Sequence, residues 1–197
     1  MMEEKGVLEQ PIQLNLGCGE RKLAGYINVD LHGSPDVRHD LEKTPWPWPD
    51  NSVTAVTLSH VLEHLGRDSE LFFNIIRELY RVCRHQAQIV IRVPHPWHKD
   101  YLGDPTHVRP ILPEGLALFS KKQINAWQAQ GYGNTPLAHI LDVDFEIIRV
   151  VNYYSPEWDA KLRSGVLSAQ QVQQASEQYV NVIKEMEILW QVVKEDR

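Results

Sequence analysis

Hydrophobic positions along this chain switch repeatedly between short apolar runs and helical spacing. Residues 12–16 form a short apolar run that reads as a buried strand. Residues 25–30 read as a second strand, 35–41 as a weak third and 53–58 as a strong fourth. Between the third and fourth lies the proline- and tryptophan-rich stretch 45–52, a rigid turn-rich connection. Phe72, Ile75, Ile76, Leu79 and Cys83 recur at spacings of three and four, which predicts a helix over 68–83. Residues 88–93 read as a fifth strand, closed by Pro94.

Beyond Pro94 the pattern changes. Residues 95–113 are rich in His, Pro, Asp and Gly and read as a long loop, a feature that is often functional. A short helix follows over 113–119. Ser120 and Gln123 carry the capping-box signature of another, ending before Gly131. Residues 145–151 read as a late strand. Val172, Ala175, Tyr179, Val182, Ile183, Met186, Leu189 and Val193 form an apolar stripe, which predicts one long helix over 168–195. That stripe offers a homodimer interface, or a face that docks on its own domain.

This alternation predicts an α/β fold: a Rossmann-like, doubly wound, mainly parallel sheet with helices on both faces and a long C-terminal helix. One domain over 1–197 is expected, with a core at 12–93, an acceptor-side lid and helices at 94–135, and the late strand and C-terminal helix at 136–197. One spacing is irregular. Only about nine residues separate the first two strands, fewer than the roughly 10–12 of a full crossover, so the first helix is expected to be a turn or two around 20–24.

Composition narrows the function. Acids outnumber bases, 26 to 20, so bulk charge gives no support for nucleic-acid binding. No apolar run is long enough for a membrane span, and Met1–Lys5 lacks the apolar core of a secretion signal. Cys18 and Cys83 read as free thiols of a cytoplasmic protein.

The chemistry concentrates where the first strand enters the glycine turn Gly17-Cys18-Gly19 and the second strand ends in Asp30. Such glycines let backbone approach a ligand, and such an acid accepts hydrogen bonds from ribose hydroxyls. A dinucleotide fingerprint needs a small third residue. Lys22 stands there instead, which argues against a nicotinamide oxidoreductase, and no G-K-[ST] follows for a phosphate loop. A nucleoside cofactor without phosphates fits better. The sulfonium of S-adenosylmethionine (SAM) is cationic, so neighbouring acids attract it.

Asn15-Leu16-Gly17-Cys18-Gly19, Tyr26–Asp30, His39-Asp40-Leu41, Pro47–Ser52 and Ser59–Leu65 together resemble class I SAM-dependent methyltransferases, most nearly the small type 11 group. The resemblance covers residues 12–93 and extends more weakly through Asp104-Pro105-Thr106-His107. It implies SAM as cofactor, with Asn15, Gly17, Cys18, Gly19 and Glu20 under its methionine part. Asp30 and Leu31 would hold the ribose, Asp40 and Leu41 the adenine, and Ser59 and His60 the region where methyl group and acceptor meet. Two positions depart from the family. Its usual acid before the first glycine is Asn15, and its third glycine is Arg21.

A methyl transfer to a hydroxyl or protonated amine is helped by a base, and neutral His suits that role. His60 and His107 are the catalytic candidates. His60 and His64 stand four apart with Glu63 between them, but the order is not H-E-x-x-H, and no metal ligand set is assigned. The segment 95–109 reads as an acceptor-side lid, with a metal-binding loop and a plain loop as alternatives. Cys18 reads as a small turn residue. Trp46 and Trp48 read as packing over the sheet edge or the adenine pocket, with an aromatic binding surface as the alternative. The expected function is methyl transfer to a small-molecule acceptor, with no nucleic-acid partner. A non-catalytic SAM-binding subunit is the alternative.

Overall fold

Seven strands form one sheet in the order β3-β2-β1-β4-β5-β7-β6. The computed structural model describes residues 11–194, so Met1–Lys5 lies outside the described residues. In chain order the elements are β1 (Ile12–Leu16), β2 (Ile27–Asp30), β3 (Val37–Arg38), β4 (Val53–Ser59), α1 (Ser69–Val82), β5 (Cys83–Pro94), α2 (Lys99–Leu102), α3 (Pro113–Leu116), α4 (Lys121–Ala129), α5 (Leu137–Leu141), β6 (Phe145–Tyr154), α6 (Pro156–Arg163), α7 (Ala169–Gln178) and β7 (Ile183–Val192). Single 3-10 turns occupy Leu62–His64 and Ala117–Phe119. β1 to β5 pair in parallel, and β7 runs antiparallel between β5 and β6.

Local sequence explains most of the helix starts. The Asp68 carboxylate accepts from Leu71 N at 2.9 Å and opens α1. Ser120 caps α4 through Gln123 N, and Ser168 with Gln171 forms a capping box on α7. α1 buries Phe72, Ile75, Ile76 and Leu79 against the sheet. Trp46 and Trp48 are buried edge to face, 6.2 Å apart, in the main core. Arg81 ties down their connection by donating to the carbonyls of both and to Asp50.

Strand register sorts the side chains onto two unlike faces. Leu14, Leu16, Val29, Val56, Leu58, Ile89, Ile91, Ile188 and Trp190 lie on one face and join the main core with α1, α3 and α5. The opposite face carries Gln13, Asn15, Thr57, Gln88, Arg92, Glu187 and Gln191. Its Val90 and Leu189 are half-buried and join neither hydrophobic core. Helix coverage is therefore one-sided among the described residues, and the both-faces expectation holds on one face only.

Two further expectations are corrected. Residues 17–26 contain no helix at all. The peptide groups that a helical turn would satisfy are taken by side chains instead: Leu23 N donates to Asn28 Oδ1, and the Arg21 and Leu23 carbonyls accept from Asn15 and Asn28. The long C-terminal helix is also absent, because the helix stops at Gln178 and β7 begins at Ile183. Between them Asn181 takes φ +60°, which no helix accommodates. Met186, Ile188, Trp190 and Val192 then alternate with Glu187, Leu189 and Gln191, a period of two, and the even set is buried. The stripe is therefore divided: Val172 and Ala175 are buried on α7, Ile183 and Met186 are buried in β7, Leu189 is half-buried on the open face and Tyr179 is exposed.

Candidate functional site

Three strand ends converge on the glycine turn. Leu16 pairs with Val29 on one side and Leu58 on the other, so Gly17, Asp30 and Ser59 follow at one edge of the sheet. Gly17 adopts φ +66°, and a Cβ there would meet Val61 Cγ2 at 2.4 Å. Gly19 adopts φ +48° with nothing within 4 Å of the Cβ position, which leaves its face open to a ligand. Gly19 N and His32 N donate to the two Asp30 carboxylate oxygens, each at 2.8 Å. Each oxygen keeps a further lone pair, enough to accept the two hydroxyls of a ribose.

The neighbouring candidates lie along the same rim. Glu20 and Leu31 are exposed beside Gly19 and Asp30. Asp40 is half-buried, accepts from Glu42 N at 3.1 Å and stands 3.6 Å from Lys43 Nζ. The Leu41 side chain is in the core, and its carbonyl accepts from the Trp46 indole at 3.0 Å. Burial, then the Asp30 charge, raises the Cys18 pKa, which keeps it a thiol and a packing residue. The open turn, the acids around it and the exposed Leu31 fit a cationic nucleoside such as SAM.

Asn15 points away from the open turn face and into the 17–28 connection. It is buried, and its amide donates to Arg21 O at 2.9 Å and Asn28 Oδ1 at 2.8 Å. Asn28 in turn donates to Asp36 at 2.7 Å, and Asp36 is paired with Lys22 at 2.9 Å. Asn15 therefore holds the helix-free connection.

A second group gathers where β4 and β5 end. His60 takes φ +56°, a conformation rare outside glycine, and its N–H donates to Arg92 O. Its Nε2 lies 3.2 Å from Glu185 Oε2, and Arg92 also bonds Glu185. Glu63, on the 3-10 turn, is fully buried, and neither carboxylate oxygen has a hydrogen-bond partner. His64 Nδ1 meets Thr106 Oγ1 at 3.0 Å, and Thr106 Oγ1 donates to Asp104 at 2.6 Å. His107 Nδ1 meets the Tyr101 carbonyl at 2.8 Å, and the two rings stack.

A cavity of about 540 Å³ joins Arg21, His60, Glu63, His64, Arg92 and His107. Both catalytic candidates thus line one chamber, and its wall includes Arg21, whose N–H donates to Cys18 O of the glycine turn. The 95–113 segment is its fixed wall: Val108 N and Arg109 N donate to Glu63 O, and Arg109 donates to Gly66 O over the Phe72 ring. The other loop histidines stand apart. His98 is buried and caps α2, and burial lowers the pKa of both His98 and His95. Glu63 is named in the sequence only as the acid between His60 and His64, and its burial beside His107 is not foreseen there. An acid among Val61, Leu62 and Leu65 was the available signal.

Residues 14–91 match a family described as a methyltransferase domain. No curated protein matches the chain in sequence. Among solved structures it is similar to a SAM-dependent methyltransferase from Archaeoglobus fulgidus, with 21% identity, 93% of this chain and 86% of that one covered, and a TM-score of 0.57. It is similar to the YcgJ protein of Bacillus subtilis, with 16% identity, 95% and 93% covered, and a TM-score of 0.52. A SAM-dependent methyltransferase of Methanosarcina mazei gives 15% identity, 95% of each chain and a TM-score of 0.50. The match puts a methyltransferase domain over 14–91, and the likeness to these structures shows that the chain shares their fold.

Proposed function

We propose that the chain methylates a hydroxyl of a small molecule bound in the His60 cavity. The observation that carries this reading is one chamber of small-molecule size, lined by Arg21 just beyond the glycine turn, with an imidazole held between two carboxylates. SAM, held by the 17–19 turn, Asp30 and Asp40, supplies an electrophilic methyl group with a neutral leaving group.

The protein's tasks are positioning and proton removal. Glu185 accepts from His60 Nε2–H, which leaves Nδ1 as the lone pair that takes the hydroxyl proton. The imidazolium that forms is stabilised by Glu185 and by Glu63, 3.6 Å from Nδ1. Arg92 fixes Glu185 from its other side. Residues 94–135 supply the acceptor-side wall.

The test incubates labelled SAM and the purified chain with a fractionated cell extract, then identifies the labelled product by mass. His60→Ala is expected to lower turnover by about 10²–10⁴-fold while calorimetry shows unchanged SAM affinity. Full turnover in that variant removes His60 from the chemistry. SAM binding by the unmodified chain with no methylated product favours the non-catalytic subunit instead.

A further inference from the structure

We infer that Glu63, His64 and His107 form a site for one divalent transition-metal ion on the wall of the His60 cavity. One ligand atom from each lies within 4.8 Å of the other two. Glu63 is fully buried, yet neither of its carboxylate oxygens has a hydrogen-bond partner. A buried carboxylate in that condition is costly, and native proteins otherwise satisfy such groups. The nearest base, His60 Nδ1, stands 3.6 Å away, beyond hydrogen-bond reach. A cation between Glu63 and the two imidazoles supplies the missing partner.

The histidines are set up as ligands by what holds their other nitrogens. The Tyr101 carbonyl can only accept, so His107 carries its proton on Nδ1 and presents a lone pair on Nε2. The Thr106 hydroxyl proton is committed to Asp104, so Thr106 accepts from His64 Nδ1–H, and His64 also presents Nε2. Both follow the pattern of metal-bound histidines, whose second nitrogen is tied to a carbonyl or, through a hydroxyl here, to a carboxylate. The rings are 4.6 Å apart between centroids. This takes His107 out of the role of base and leaves that role to His60.

Two imidazoles and one carboxylate select Zn²⁺ or Fe²⁺ over Mg²⁺ and Ca²⁺, which prefer all-oxygen sets. Three protein ligands leave a coordination position open, as in catalytic rather than structural sites. Resting on the proposed function, a metal held there by Glu63, His64 and His107 would polarise an acceptor hydroxyl in the cavity, with His60 Nδ1 as the group that takes its proton.

The test uses the full chain, stripped with chelator and titrated by calorimetry with Zn²⁺ and with Mg²⁺. Co²⁺ absorption reports coordination independently of activity. One Zn²⁺ per chain and no Mg²⁺ are expected. His64→Ala, His107→Ala and Glu63→Gln should each weaken Zn²⁺ by well over about tenfold, and Thr106→Val by about tenfold, because it frees the His64 tautomer. His139→Ala, outside the cavity, should change nothing, and circular dichroism checks that each variant folds. No Zn²⁺ binding below millimolar, or equal binding by the three ligand variants, overturns the site. SAM titration of the stripped chain is read separately. A chain that binds SAM but fails to bind Zn²⁺ sinks the metal site alone, and one that binds Zn²⁺ but fails to bind SAM sinks the methyltransferase mechanism alone.

Discussion

Two buried polar side chains at neighbouring strand ends have opposite fates. Asn15, 4% exposed, gives both amide hydrogens to the 17–28 connection. Glu63, 0% exposed, has no hydrogen-bond partner for either carboxylate oxygen among the described residues, and His60 Nδ1 stands 3.6 Å away. The groove proposed for the cofactor is built largely from backbone, with positive-φ glycines and peptide N–H groups on Asp30, and is braced by an asparagine side-chain network where a helix was expected. The histidine cavity is built from side chains, and one of them lacks a partner. Buried polar groups that shape a fold are satisfied within it, whereas a group shaped for a ligand is left open. Asn15 belongs to the first kind and Glu63 to the second.

The groove half of this contrast breaks hardest at Gly17. An alanine there must adopt φ +66° and place its methyl 2.4 Å from Val61. Left-handed strain and overpacking together cost on the order of 4 kcal/mol. Gly17→Ala is therefore expected to lower the urea midpoint sharply and abolish SAM binding. A variant of normal stability that still binds SAM would show that the turn does not need backbone to approach so closely.

Next in size is the pair Asn15→Asp and Glu63→Gln. Restoring the family's acid at position 15 removes both donors and sets a charge against two oxygens, Arg21 O and Asn28 Oδ1. The expected loss at pH 7 is about 3 kcal/mol, with no gain in SAM affinity. Glu63→Gln, measured in chelated protein, should leave the urea midpoint level or higher, because a buried carboxyl group without hydrogen bonds is removed. If Asn15→Asp instead tightens SAM at little cost in stability, Asn15 belongs to the cofactor site. If Glu63→Gln destabilises the chelated protein as much, Glu63 has a structural partner after all.

What the sequence makes legible follows the range of the interactions involved. Asp68, Ser120 and Ser168 cap the helices they precede, and each acts within three residues. Gly17, Asp30 and Ser59 come together because parallel strands align their ends, a consequence of the β/α alternation. The C-terminal segment misleads because Val182, Met186, Leu189 and Val193 satisfy a helical period while Met186, Ile188, Trp190 and Val192 satisfy a strand's. Competition from β5 and β6 for pairing decides between them, and no local pattern contains it. The missing first helix is equally non-local, since Asn28 captures Leu23 from beyond the turn. Glu63 and His107 are 44 positions apart, and only the folded loop shows that they share a chamber.

The smallest effect tests whether the asparagine network ends in a charge that matters. Asp36 closes that network, accepting from Asn28 and from Lys22. Those bonds, led by the Lys22 ammonium, hold its pKa at about 2, below the ordinary 3.8. A carboxylate whose pKa is lowered by folding stabilises the native state above its unfolded pKa, and that contribution fades as pH falls through the folded value. Asp36→Asn has no such titration. The gap in urea midpoint between the unmodified chain and Asp36→Asn should therefore be constant above about pH 5 and close between about pH 4 and pH 2. Because Asp36 is largely solvated, the gap should also shrink in high salt. A gap that persists at pH 2 would mean that hydrogen-bond shape, not charge, fixes this end of the network. The same argument would then reach Asn15, whose place in the groove would rest on geometry alone.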